Sequence, residues 1–106
     1  MQNYSFHDST LVKFKQDKNN IILNIEDIYS SEGKKMAEII CHDVTSSKMD
    51  HQNCVVSMFY QDSEILDLEI EGNTLKLVIN WYDYENKNEC TKYYEIDCKS
   101  IELNFS

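Results

Sequence analysis

Three histidines and four cysteines are the residues of this sequence best suited to chemistry, since both types bind metals and take part in catalysis. His7 and Asp8 are adjacent, and metal-dependent phosphohydrolases use such a pair. Those enzymes need several further His and Asp ligands, and the remaining histidines here are His42 and His51. The alternative is local, because Asp8 and the two hydroxyl residues after it can bond backbone amides where a strand begins.

A zinc half-site is the second candidate. His51 and Cys54 have a suitable spacing, but another cysteine or His42 would have to converge on them to complete four ligands. No two cysteines form a C-x-x-C pair, and Cys41 and His42 point to opposite faces of a strand. The preferred interpretation is that Cys41, Cys54 and Cys98 are small core residues.

Nucleophile and phosphate chemistry find no support in the sequence. Its two glycines, Gly33 and Gly72, are too few for a phosphate-binding loop, and no serine stands in a nucleophile-elbow pattern. Acidic residues are abundant, but glycosidase chemistry would need two of them together in a cleft. We therefore predict that the protein is not an enzyme and holds no cofactor and no metal.

The charge balance restricts the partners. The chain has ten lysines, no arginine and nineteen acidic residues, which gives a net charge of −9. Such a field repels the phosphate backbone of nucleic acids, so a charged partner should be a basic protein. No run approaches the ~20 apolar residues of a membrane helix. Charged residues interrupt the N-terminal segment where a signal peptide would lie, so a cytoplasmic protein with reduced thiols is expected.

Apolar and polar residues alternate over most of the 106 residues, as in half-buried strands. Short polar turns separate the alternating segments, and Gly72-Asn73 has the form of a two-residue hairpin turn. We predict about eight strands, near residues 10–15, 21–26, 36–44, 55–60, 64–71, 75–84, 92–98 and 101–105. This spacing is typical of a single all-β domain over residues 1–106, an antiparallel sandwich or open barrel with at most one short helix.

Parity within each segment predicts which side chains share a face. In the first strand, one side is expected to hold alternate residues from position 10: Thr10, Val12 and Phe14. In the strand near 64–71, the inward set is expected to be Leu66, Leu68 and Ile70. Residues 36–44 carry apolar groups at both parities, so a central strand or a short helix would fit, and β-branched residues favour the strand. Residues 30–35 and 45–53 are polar and predict loops, the second long and mobile.

Carboxylates and tyrosines are expected on one outward face in the C-terminal half. They are Asp67, Glu69 and Glu71 on one strand, Tyr82 and Tyr84 on its hairpin partner, and Tyr93 and Glu95 on a later strand. If these strands are neighbours, they form an acidic surface bearing tyrosines. Tyrosine often anchors interfaces, and acidic groups around it steer a basic partner. The alternative is an ordinary solvated face of an antiparallel sheet.

The tetrapeptide Phe6-His7-Asp8-Ser9 resembles the opening of several small bacterial β-sheet families, in which an aromatic residue or leucine precedes His-Asp and a small residue. The likeness extends along the chain as a general layout of strands, although segment 45–53 departs from it. Some of these families are immunity proteins of polymorphic toxin systems. The resemblance implies a protein that binds and neutralises a co-inherited toxin, and many such proteins are acidic because many toxins are basic nucleases. We interpret Phe6, His7 and Asp8 as a structural motif.

These observations lead to three hypotheses of function. The first is a non-enzymatic, acidic protein-binding domain, with a toxin-neutralising immunity protein as its specific form. The second is a structural or homo-oligomer-forming module, in which Tyr82 and Tyr84 lie in a homodimer contact. The third is a small metal-binding protein or enzyme centred on His7, Asp8 and His51.

Overall fold

Antiparallel strands account for most of the chain. The computed structural model describes residues 4–105, with side chains from Phe6 onward. This range contains ten strands and no helix, so the all-β prediction is confirmed. The strands are β1 (Tyr4–Ser5), β2 (Thr10–Asp17), β3 (Asn20–Ser30), β4 (Gly33–His42), β5 (Ser46–Met49), β6 (Gln52–Asn53), β7 (Asp62–Glu71), β8 (Thr74–Asp83), β9 (Asn88–Asp97) and β10 (Ser100–Phe105).

Two antiparallel sheets form the layers of the fold. In the first sheet, β4 runs along one side of β3 and is followed by β10, while β1 and β2 share the other side of β3. In the second sheet, the order is β6-β5-β9-β8-β7. Consecutive strands pair across two-residue turns at four places in the described range, β2–β3, β3–β4, β5–β6 and β7–β8, and β8 pairs with β9 across a four-residue turn. Such local pairing is what the short polar turns of the sequence predict.

The core lies between the two sheets. Strand β8 contributes four side chains that are completely buried, as its alternation predicts: Leu75, Leu77, Ile79 and Trp81. The first sheet supplies equally buried residues from β3 and β4: Ile21, Leu23, Ile25, Ile28, Ile39 and Cys41. At the centre, Trp81 Nε1 donates to the hydroxyl of Tyr94 at 3.1 Å, and the Tyr94 ring meets Phe14 edge-on with centroids 5.0 Å apart.

A short seam joins the sheets where β2 begins, and we define it by Asp8, Ser9, Leu11, Ser63 and Ile65. The amide of Asp8 donates to the carbonyl of Ile65 at 2.9 Å, and the amide of Ile65 donates to the carbonyl of Ser9 at 2.8 Å. The Ser63 hydroxyl donates to the Leu11 carbonyl at 3.0 Å and accepts from the Leu11 amide at 3.2 Å. The seam therefore closes the sandwich along one flank.

Bulges overturn two of the parity predictions. In β2 the register shifts between Leu11 and Lys13, so Leu11 and Phe14 are both buried while Val12 is 43% exposed. The prediction that Thr10, Val12 and Phe14 share one side of the strand is therefore wrong. In β7 the register shifts between Ile65 and Asp67. Ile65 is fully buried as a result, and Leu66, which was predicted to face inward, is only half-buried. A bulge adds one residue to one strand and reverses the parity beyond it.

Segment 45–60 also differs from prediction. The expected mobile loop at 45–53 is a small hairpin of β5 and β6, turning at Asp50 and His51. Both residues have positive φ, 52° and 70°, which a two-residue turn of the primed type requires. Residues 55–60, expected to be a strand, form no strand in the described structure. Instead this irregular segment covers the core, with Val56 only 2% exposed and Val55 74% exposed.

The ambiguous segment 36–44 is a strand, as favoured. It belongs to β4, which begins at Gly33, and only Ser31 and Glu32 separate it from β3. The predicted loop at 30–35 is therefore a two-residue turn. Cys41 is fully buried and His42 faces outward, as a strand requires, and Cys98 is also buried. Cys54, predicted to be a core residue, is only half-buried, because it lies in the irregular segment that follows β6.

Candidate partner-binding surface

The outward face of β7, β8 and β9 carries most of the carboxylates and tyrosines singled out in the sequence. In the register of the three strands, Val78 of β8 lies between Asp67 of β7 and Tyr93 of β9. In the same way, Lys76 of β8 lies between Glu69 and Glu95. The core residues of β8 have the other parity, so these side chains point away from the core. The structure places six of the seven predicted residues on this outward face: Asp67, Glu69, Glu71, Tyr82, Tyr93 and Glu95. The seventh, Tyr84, lies in the turn after β8.

Lysine neutralises the middle of that face. Lys76 Nζ lies 2.9 Å from Glu71 Oε2, a contact that raises the pKa of Lys76 and lowers the pKa of Glu71. In the cross-strand register, Lys76 stands between Glu69 and Glu95. The Tyr93 hydroxyl donates to Glu95 at 3.2 Å, and burial followed by this bond raises the pKa of Tyr93. These carboxylates are thus largely engaged within the protein itself.

The far end of the same face carries a stacked aromatic pair, which we call the tyrosine ridge (Tyr82 and Tyr84). Their rings are nearly parallel, with an interplanar angle of 6° and centroids 5.7 Å apart. Tyr84 remains 69% exposed, while Tyr82 is half-buried and its hydroxyl donates to Glu64 Oε1 at 3.1 Å. In the ridge, the exposed ring of Tyr84 therefore stacks on the ring of Tyr82, which a hydrogen bond to Glu64 holds against the sheet.

Open grooves flank the tyrosine ridge. One has a volume of about 330 Å³ and runs past Tyr60, Gln61 and Asp62 to Glu85 and Asn86. The other, about 200 Å³, is bounded by Lys87, Asn88 and Glu89, and both grooves share the ridge and Asp83. The groove walls carry one lysine, Lys87, and four carboxylates: Asp62, Asp83, Glu85 and Glu89.

Sequence reasoning found the ridge tyrosines but missed the residues around them. Residues 85–87 lie in the turn between β8 and β9, and Asn88 and Glu89 begin β9. The turn is fixed by Asp83, whose carboxylate accepts from the Asn86 side chain at 2.8 Å. The available signal was the Tyr-x-Tyr spacing followed by an acidic turn, since alternate strand residues share a face.

The motif residues Phe6, His7 and Asp8 lie beside the seam. His7 Nδ1 is 2.7 Å from the carbonyl of Leu66 on β7, and His7 Nε2 is 3.4 Å from Asp8 Oδ1. The Ser9 hydroxyl donates to the Phe6 carbonyl at 2.5 Å. A hydrogen bond with Asp8 is the largest cause of a raised pKa at Glu64, which also accepts from Tyr82. The motif therefore lies close to the carboxylate of Glu64, which accepts from the ridge residue Tyr82.

Known proteins give no direct guide to the role of this surface. Searches against protein-family models, curated proteins and solved structures found no match to the chain.

Metal and thiol chemistry have little structural support in the described residues. Residues 4–105 contain no group of three or more His, Cys, Asp or Glu side chains placed to hold a metal ion. His51 packs its ring near Tyr93, with centroids 5.4 Å apart. Burial raises the pKa of the Cys41 thiol to about 12, so this cysteine is a poor nucleophile at neutral pH. The described range also holds no helix that could cross a membrane.

His7 should titrate above its usual pKa of 6.5, because the Leu66 carbonyl and then Asp8 favour the protonated ring. A histidine with a raised folded-state pKa contributes stability that is fully present below the unfolded pKa and lost as pH rises through the folded pKa. We expect an NMR titration of the His7 ring to give a pKa above 6.5, and Asp8→Asn to lower it. A value at or below 6.5 would contradict this geometry.

Proposed function

We propose that this protein is a non-enzymatic, acidic protein-binding domain that acts in the cytosol. Its tyrosine ridge receives lysine or arginine side chains of a basic partner protein. The single observation that carries the proposal is the exposed ring of Tyr84, stacked on Tyr82 between two grooves with acidic walls.

An exposed tyrosine with carboxylates around it suits a cationic side chain. A cation within about 6 Å of an aromatic centroid gains roughly 0.5–1 kcal/mol at an exposed site and more when water is excluded. The chain itself shows this geometry elsewhere, where Lys92 Nζ lies 5.2 Å from the centroid of Phe59. The carboxylates of Asp62, Glu85 and Glu89 would add attraction to the same cation.

The whole-chain charge supports the same kind of partner. A net charge of −9 accelerates encounter with a basic protein and suppresses encounter with acidic ones. Neutralisation of a basic toxin is the specific form of this function that the resemblance at Phe6, His7, Asp8 and Ser9 favours. Free cysteines, four in all, suit the reducing conditions of the cytosol.

Replacing the exposed ridge tyrosine tests the proposal. With a fluorescent lysine-rich peptide as probe, we expect Tyr84→Ala to weaken binding about tenfold, the effect of losing an interface anchor. Fluorescence anisotropy at several salt concentrations measures it. The matched control is Tyr29→Ala, since Tyr29 is also an exposed tyrosine (51%) and lies in β3 of the other sheet. An equal loss in both variants would mean that the peptide binds exposed tyrosines without preference for the ridge, and no loss in either would mean that it binds through overall charge alone.

Charge variants locate the site along the outward face. Glu85→Gln and Glu89→Gln remove carboxylates from the groove walls, and we expect each to weaken peptide binding several-fold. Glu71→Gln changes net charge equally but removes a carboxylate already engaged by Lys76, so its effect should be smaller. The reverse ranking would place the partner at the middle of the face and not at the tyrosine ridge.

A further inference from the structure

The two grooves beside the tyrosine ridge differ in aromatic content and in charge. The larger one, which we call the tyrosine groove, is lined by three tyrosines: Tyr60, Tyr82 and Tyr84. Its carboxylates are Asp62, Asp83 and Glu85. No lysine is found among the described residues that line it, whereas the smaller groove is lined by the two ridge tyrosines and also carries Lys87. A cation is therefore better accommodated in the tyrosine groove.

Strand register brings the three tyrosines together. Asp62, at the start of β7, lies opposite Tyr82, near the end of β8. Tyr60 comes two residues before Asp62, and Tyr84 comes two residues after Tyr82, so both lie just beyond the end of the same strand pair. The groove is thus formed where the chain enters β7 and where it leaves β8.

Neighbouring contacts hold these rings in place. The Tyr60 ring meets the Phe59 ring edge-on, with centroids 4.9 Å apart. The Tyr82 hydroxyl donates to Glu64, and the Tyr84 ring stacks on the Tyr82 ring. Side chains that are positioned before binding lose little conformational freedom when a ligand enters, which favours affinity.

We propose that the tyrosine groove binds the trimethylammonium group of a methylated lysine on the basic partner. This inference rests on the proposed function and specifies which cation the tyrosine ridge receives. Several aromatic rings around one cation are the arrangement that recognises quaternary ammonium groups. Sites for free small ligands enclose most of the ligand surface, whereas an open groove admits a cationic group that stays attached to a longer chain.

Methylation favours contact with the rings over contact with water. A primary ammonium group has three hydrogen-bond donors, which lose water when the group is placed against an aromatic face. A trimethylammonium group has the same charge but no donors, and its methyl groups bury apolar surface on the tyrosines. Asp62 and Glu85 are exposed, so water screens their attraction for either cation. The rings therefore determine which of the two cations binds more tightly.

Fluorescence anisotropy with two peptides of one sequence measures this preference, one with unmodified lysine and one with trimethyllysine at the central position. We expect the methylated peptide to bind the full chain about fivefold more tightly. Tyr60 is half-buried, and Tyr60→Leu keeps an apolar side chain there but removes the ring, so the two affinities should become equal. Tyr60→Phe retains the ring and should retain the preference. Far-UV circular dichroism checks that both variants are folded.

A third peptide separates charge from apolar contact, since it carries a tert-butyl analogue of trimethyllysine with carbon in place of the charged nitrogen. We expect it to bind about tenfold more weakly than the methylated peptide. The matched variant is Tyr29→Leu, which removes an exposed tyrosine of the other sheet and should leave the preference unchanged. Equal affinity for the methylated peptide and either of the other two, or a preference that survives Tyr60→Leu, would overturn the proposal.

Failure of this inference is distinguishable from failure of the proposed function. If the unmodified peptide depends on Tyr84 and methylation has no effect, the proposed function stands and the inference fails. If neither peptide depends on Tyr84, the proposed function itself fails. Choline that binds more tightly than the methylated peptide would assign the groove to a free quaternary ammonium compound and would overturn the choice of a methylated lysine.

Discussion

Trp81→Ala is expected to lower the free energy of unfolding by about 3–5 kcal/mol, the usual cost of removing a fully buried aromatic side chain. Trp81 is 0% exposed, and its indole nitrogen donates to the hydroxyl of Tyr94 at 3.1 Å. The substitution therefore leaves a cavity and also removes the partner of a buried hydroxyl. Tyr94 in turn packs edge-on against Phe14 of the other sheet, so the loss reaches both layers.

Urea unfolding followed by far-UV circular dichroism measures this effect. Fluorescence is unsuitable, because Trp81 is the one tryptophan of the chain. The control is Tyr84→Ala, which removes an exposed aromatic ring and should change stability by no more than about 0.5 kcal/mol. A loss below about 1 kcal/mol for Trp81→Ala would show that the two layers do not pack around this residue.

Ser63→Val is expected to destabilise the protein by about 2–4 kcal/mol, because valine has no hydroxyl and adds a methyl group at a buried position. Ser63 is 8% exposed, and its hydroxyl satisfies both the amide and the carbonyl of Leu11. Valine can do neither, so two buried backbone groups would lose their partners. The seam would be weakened at the point where β2 and β7 meet.

Hydrogen exchange gives this prediction a local readout. We expect the Leu11 amide to lose protection in Ser63→Val, in addition to the shift of the urea midpoint. Ser57→Val supplies the control, because Ser57 is an exposed serine in the irregular segment after β6. If Ser63→Val unfolds at the same urea concentration as the parent, the hydroxyl contributes nothing net to the seam.

Strand β8 shows why much of the fold could be predicted from the sequence. Its alternating residues from Leu75 to Trp81 are all buried, since a regular strand between two neighbours keeps a period of two. The all-β class follows from many such segments. Parity failed at Val12 and Leu66 because each lies at a bulge. Bulges depend on which strand lies opposite, and that information is not local.

The same limit applies to the candidate surface. The outward direction of Tyr82 followed from parity, and its stacking with Tyr84 depends on the conformation of the β8–β9 turn. The register of the hairpin decides that Lys76 pairs with Glu71. The registers of β7 and β9 against β8 also place Lys76 between Glu69 and Glu95. A sequence shows how many carboxylates a face carries, but neutralisation by a neighbour depends on pairing across strands.

The seam connects positions that are far apart in the chain, since Leu11 and Ser63 are separated by 52 residues. The hairpins β3–β4 and β7–β8 close over two-residue turns, so they can form early at small entropic cost. Contacts between distant positions form slowly because a long loop must first be closed. Closure of the seam should then come after the main folding barrier, and weakening it should accelerate unfolding more than it slows folding.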